Sequence, residues 1–144
     1  MLLTPEEMAN ADAAAAASGL SSFGLMQRAG YAVAAGALNR FPQAKRFVVL
    51  CGPGNNGGDG YIAATALAES GCETVVFALG DPDALKGDAR MARDAWTAPV
   101  HVLDRYEPQA GDVVIDAIFG SGLSRPVPDA VAQVIAAVKL AGVL

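Results

Sequence analysis

At 144 residues and 53% hydrophobic content, the chain is the size of one domain and carries enough apolar surface to bury a core. Its net charge of −5 comes with no basic run, which argues against nucleic acid as a partner. His101 is the sole histidine, and Cys51 and Cys72 lack CxxC spacing, so zinc sites and histidine triads have nothing to build from and the cysteines read as small buried hydrophobes.

The opening residues show no basic stretch leading into an apolar one, and nowhere do about 18 apolar residues run together, so the expectation is a soluble cytoplasmic protein without a membrane partner. Thr4-Pro5-Glu6-Glu7 is a helix start, with a capping hydroxyl, a proline at the first helical position and a glutamate at the third. The alanines from Ala13 to Ala17 continue that helix until Ser18-Gly19 stops it. A second helix is expected from Phe23 to Asn39, with Gly30 and Gly36 leaving room for a close neighbour and Pro42 marking the exit.

Phe47 to Leu50 reads as the first strand, Gly60 to Glu69 as a helix and Thr74 to Leu79 as the second strand, with Ser70-Gly71 as the stop between them. A further helix covers Gly87 to Trp96. Val100 to Leu103 and Asp112 to Ile115 follow as strands, parted by a polar turn with Pro108 and Gly111. Pro128 opens a last helix reaching about Leu140, with Val131, Val134, Ile135 and Val138 on one face. Strand and helix alternate from residue 47 onward, so the fold class is α/β: a Rossmann-like three-layer sandwich, its sheet mainly parallel with helices on both faces, preceded by two helices.

Chemistry concentrates after the first strand, where Cys51 to Gly60 read CGPGNNGGDG. Glycines at that density belong where a backbone must reach φ > 0 or approach a ligand more closely than a Cβ permits. Placed where a helix opens, they suit an anion, and phosphate is the usual guest. A P-loop would need Gly-Lys followed by Ser or Thr, and Gly-Asp-Gly stands here instead, which argues against ATP at this turn. Gly52-x-Gly54-x-x-Gly57 does fit the dinucleotide fingerprint, with Asp81 past the next strand as the ribose-binding acid. That fingerprint leaves Asn55, Asn56 and Asp59 unexplained; side-chain carbonyls in that arrangement can ligate a hard cation or grip a polar ring.

A second loop follows Val113-Val114-Ile115 and reads Asp116-Ala117-Ile118-Phe119-Gly120-Ser121-Gly122-Leu123-Ser124-Arg125-Pro126. An acid at the carboxyl end of a parallel strand, ahead of a glycine loop with an arginine, occupies the position at which open α/β sheets hold ligands. The plainer account of Asp116 is a carboxylate bonded to backbone N–H groups of its own turn, and that of Arg125 a solvated loop cation.

GPGNNGGDG after one strand and DAIFGSGLSR after another, with Leu3-Thr4-Pro5-Glu6-Glu7-Met8 and Leu25-Met26-Gln27-Arg28-Ala29-Gly30 ahead of them, resemble the YjeF N-terminal domain family, whose best-known activity is NAD(P)H-hydrate epimerase. The resemblance runs over residues 1–144 as a single domain and implies an isomerase of metabolite repair that interconverts the R and S epimers of hydrated NADH or NADPH. It implies that Asn55, Asn56, Gly57, Gly58, Asp59, Gly120, Ser121, Gly122, Leu123, Ser124, Arg125 and Pro126 line the substrate. It implies further that Asn56 and Asp116 ligate a potassium ion, with Asp116 near the acid/base centre. Family members continue past the final helix with a strand ending in an acid-x-Pro-Ser-Gly turn, so the expectation is a domain cut short, its C-terminal third missing.

A homodimer, and a fused or separate dehydratase that uses ADP or ATP on the same hydrate, are the partners the resemblance implies. Two other readings stay open. The same domain resembles binding modules in an RNA-decapping enhancer and a secreted lipoprotein-binding protein, and an ordinary NAD(P)-binding domain would use Gly52, Gly54, Gly57 and Asp81.

Overall fold

The computed structural model describes residues 21–118. The expected helix at Thr4–Gly19, the loop Gly120–Pro126, the helix from Pro128 and the strand at Gly142 lie outside the described residues. Helix α1 (Ser22–Arg40) begins where Ser21 accepts a 3.0 Å hydrogen bond from the Gly24 N–H, satisfying one of the donors that a helix start leaves unpaired. Strand β1 (Arg46–Cys51), helix α2 (Asn55–Glu69) and strand β2 (Thr74–Ala78) follow, then helix α3 (Gly87–Ala95) and strands β3 (Val100–Val102) and β4 (Asp112–Ala117).

The four strands form one sheet in the order β3-β2-β1-β4, with every pairing parallel. The expected parallel α/β sheet is present, and the strands stand where the apolar runs put them. β1 is central and buried along nearly its whole length, as a strand covered on both faces must be. Alternation sends Phe47, Val49 and Cys51 to one face and Val48 and Leu50 to the other.

The first face carries all three described helices. Met26 and Ala34 of α1, Tyr61, Ile62, Ala63, Ala64 and Leu67 of α2, and Ala89 and Ala92 of α3 pack there with Val49 and Val76. The second face holds Val48, Leu50 and Phe77 against Leu103, Tyr106 and Ile118. Among the described residues the helices therefore cover one face, where the sequence led us to expect both.

At the amino edge of the sheet, the first residues of β1 and β4 are register partners, Arg46 and Asp112. The Arg46 guanidinium donates to both Asp112 oxygens, at 2.8 and 2.7 Å. The Tyr106 hydroxyl and the Gln109 N–H donate to Oδ2 at 2.9 and 3.0 Å. Burial by itself would raise the Asp112 carboxyl, but Arg46, the Gln109 N–H and Tyr106 together hold it below the usual carboxylate range. This network did not emerge from the sequence, because its members meet only once the strands are in register.

Candidate functional site

β1 ends at Cys51, and the Gly52 N–H donates to the Ala117 carbonyl of β4 at 3.0 Å, tying the first loop to the strand that leads into the second. Gly54 is the N-cap of α2, in extended conformation at φ −108° and ψ −165°. The helix begins at Asn55, earlier than the Gly60 start expected from composition, so NNGGDG is helical rather than a loop. Three glycines within two turns weaken a helix by roughly 1 kcal/mol each relative to alanine, which is why composition placed the boundary late.

None of Gly52, Gly54, Gly57, Gly58 or Gly60 has a positive φ; close packing accounts for four of them. A Cβ on Gly52 would run into the Ile118 carbonyl, and one on Gly57 into the Gly52 carbonyl. A Cβ on Gly60 would stand 2.7 Å from the Ala117 Cβ and 2.9 Å from the Cys51 Sγ, and one on Gly58 would stand 2.6 Å from the Met26 thioether. A Cβ on Gly54 would meet nothing within 4 Å among the described residues. The glycines thus seat α2 tightly on the carboxyl ends of β1 and β4, while among the described residues nothing crowds its N-cap. Among the described residues no side chain caps this helix, in contrast to Ser21 on α1, so the cap residue itself supplies no acceptor to the positive dipole end.

Asn55, Asn56, Gly57, Gly58 and Asp59 are thereby brought together at the start of α2. Asp59 is half-buried, and no partner bonds its carboxylate among the described residues. Burial pushes its carboxyl up to about 6.

Asp116 pairs in register with Leu50, next to last in β4. Val113 and Ile115 pack on the helix-bearing face, so alternation turns Asp116 to the other face, away from α2. It is exposed, and its Oδ1 accepts from the Ile118 N–H at 3.0 Å, a bond within its own turn. Oδ2 has no partner among the described residues. Asn56 and Asp116 thus lie in two neighbouring connections at the carboxyl edge of the sheet, Asn56 on α2 and Asp116 on the face away from it.

Asp81 accepts from the Asp83 N–H at 2.9 Å and caps the short 3-10 turn Pro82–Ala84. His101 lies beside Phe77, with ring centroids 5.4 Å apart. Cys51 is buried and Cys72 partly so, both free. Among the described residues no cluster of His, Cys, Asp and Glu could hold a metal ion, and no helix is long and apolar enough to cross a membrane. A groove of about 550 Å³ runs between the helices, lined by Phe23 and Tyr31 of α1, Thr65 and Glu69 of α2 and Met91 of α3; it follows the later turns of α2, not its N-terminus.

A parallel sheet with a glycine-seated helix at its carboxyl edge defines an α/β protein of Rossmann-like design, with a glycine-rich turn after the first strand. The family model described as YjeF-related protein N-terminus matches residues 22–143, and the chain belongs to that family.

The chain is 37% identical over 138 residues to the NAD(P)H-hydrate epimerase of Rhodobacter capsulatus, covering 87% of this chain and 64% of that one. It is 41% identical over 128 residues to the bifunctional NAD(P)H-hydrate repair enzyme Nnr of Coxiella burnetii, covering 87% of this chain and 26% of that one. A crystal structure of the yeast protein ynu0 superposes with a TM-score of 0.66 at 26% identity, covering 78% of this chain and 53% of that one. The chain therefore spans less than two thirds of the length of each of these relatives.

Proposed function

We propose that this chain carries the substrate-binding turn of an NAD(P)H-hydrate epimerase, an isomerase that interconverts the R and S epimers of hydrated NADH or NADPH in nucleotide repair. The observation that carries the proposal is the NNGGDG segment, seated as the uncapped first turns of α2 in a chain 37% identical to a protein named for that activity.

The hydrate bears a hydroxyl on the carbon beside the ring nitrogen. When that C–O bond breaks, its electron pair leaves with the oxygen, a proton from an acid completes the departing water, and the nitrogen lone pair forms the iminium double bond. Water then adds to either face and returns a proton to the same carboxylate. One group acting as both acid and base suffices, provided the pyrophosphate is held still.

The start of α2 supplies the hold: the dipole end and backbone donors face the phosphates, and the side chains of Asn55 and Asn56 face the polar part of the ligand. A potassium ion would be held by Asn56 and Asp116 and would neutralise charge beside the ligand. Asp116 belongs near the acid/base centre, as the proton carrier or as the cation's ligand. Burial of Asp59 favours a second assignment, because a carboxyl titrating near 6 holds a proton at neutral pH far more readily than an ordinary one. Gly120 to Pro126 complete the proposed lining, with Arg125 as a phosphate partner through its planar fork. A dehydratase acting on the same hydrate, fused or separate, is the proposed partner, in keeping with the bifunctional name of the Coxiella relative. Homodimerisation and a cytoplasmic setting belong to the proposal as well.

The test is the rate at which one purified epimer of NADH hydrate equilibrates with the other in potassium buffer, with and without the chain. Acceleration is expected. Asp116→Asn and Asp59→Asn then locate the proton carrier, since loss of turnover at all pH values marks the carrier and weakened binding alone marks a ligand. No acceleration by the wild-type chain, together with tight hydrate binding, would replace the enzyme with a binding module. Equal stabilisation by unmodified NAD(P) would replace it with an ordinary dinucleotide domain.

A further inference from the structure

We infer that α1 is a positioning element for the substrate-binding turn of α2, and that Met26 is the contact that sets it. The inference rests on the reading of that turn as the substrate site. It stands on where α1 touches α2. The Met26 Sδ and Cε lie 2.6 Å from where a Gly58 Cβ would be, and the Ala89 Cα of α3 lies 3.2 Å from the same point. Gly58 thus sits where two helices converge, between Asn56 and Asp59. One turn further along α1, a Cβ on Gly30 would stand 2.5 Å from the Ile62 Cβ and 2.9 Å from the Asp59 carbonyl oxygen. The backbone of α1 therefore lies directly on the backbone of α2 at Asp59, with only hydrogen atoms between them.

Gly57 and Gly60 seat the first turns of α2 on Gly52, Cys51 and Ala117, while Met26 and Gly30 are the contacts that α1 makes to them. Those turns carry three glycines and, among the described residues, lack a side-chain cap. Met26 is 7% exposed, and its unbranched thioether fills an irregular gap that a branched side chain would not. Shortening it opens a void beneath Gly58, into which the turn can relax. Asn55 and the backbone donors so displaced hold the ligand in the ground state and the transition state alike, so KM should rise; kcat falls with it only where Asp59 is the proton carrier.

The test compares two truncations in the same core. Leu67 is fully buried near the far end of α2 and packs with Phe47 and Ala63, so Leu67→Ala weakens the fold without touching the turn. At a temperature where circular dichroism shows all variants folded, Met26→Ala should raise KM for NADH hydrate about tenfold, Met26→Leu should recover most of that loss, and Leu67→Ala should lower Tm with KM unchanged. Amide 1H–15N shifts give a readout independent of turnover. Asn55 to Asp59 should move in Met26→Ala and stay in place in Leu67→Ala.

Equal KM effects from the two truncations, or unmoved amides in Met26→Ala, would overturn the inference. If the wild-type chain does not turn over, the epimerase reading fails, and the amide shifts still decide the positioning role. Should Met26→Ala not fold, Met26→Val tests the same contact with a smaller void.

Discussion

The two edges of the sheet are built on opposite principles. At the amino edge, Asp112 is fully buried with both oxygens bonded to a guanidinium, a phenol and a backbone N–H. At the carboxyl edge Asp59 is half-buried and bonded to nothing described, α2 starts without a side-chain cap, and Asp116 uses one oxygen on its own turn. Both edges hold a carboxylate against burial, but one answers it with partners and the other leaves it unanswered. Unanswered polar groups cost stability, and natural proteins keep them where a ligand supplies the missing partner.

The largest effect should come from breaking the amino edge. Asp112→Ala leaves the Arg46 guanidinium without its buried counter-ion and should cost about 3–5 kcal/mol, read as a fall in denaturation midpoint with hydrate affinity unchanged in the molecules that stay folded. Its pH signature is fixed by sign: the Asp112 carboxyl is held below the ordinary range, so its stabilisation is present at neutral pH and is lost as pH falls through the depressed folded-state value. An Asp112→Asn protein should lack that acid-side loss.

Asp59 should behave in the opposite sense. Its folded-state value of about 6 lies above the free value of 3.8, so the folded chain holds more protons between those limits and stability falls as pH rises through them. Asp59→Asn removes that cost. Its Tm should exceed that of the wild type at about pH 8, with the gain shrinking towards about pH 4, while hydrate turnover or binding is lost. A Tm unchanged at both pH values would mean that Asp59 is solvated and would remove the contrast between the two edges.

The smallest effect belongs away from both edges. The Arg90–Asp94 pair on α3 is 3.0 Å apart with side chains 44% and 60% exposed, and Asp94→Ala should cost less than about 0.5 kcal/mol. A larger loss in urea titration would show that exposed charge on α3 matters as much as the buried network.

Much of this was legible in the residues alone. Apolar runs placed all four described strands, because a buried parallel strand must be continuous in hydrophobic residues whatever surrounds it. The helix stop at Ser70-Gly71 and the start at Gly87 follow from backbone preferences that act locally, with Gly71 and Gly87 at positive φ. The GPGNNGGDG and DAIFGSGLSR segments marked the carboxyl edge and the family, since ligand chemistry is written in residue types. Only the tertiary structure decided where α2 begins, because glycine's weak helix propensity is overridden by the close packing of Gly57, Gly58 and Gly60 against Gly52, Met26, Ala117 and Cys51. It also decided that Asp116 leaves the sheet on the face away from α2, and that Arg46, Asp112 and Tyr106 form one network. These are matters of register and of contacts between residues far apart in the chain, which no local preference encodes.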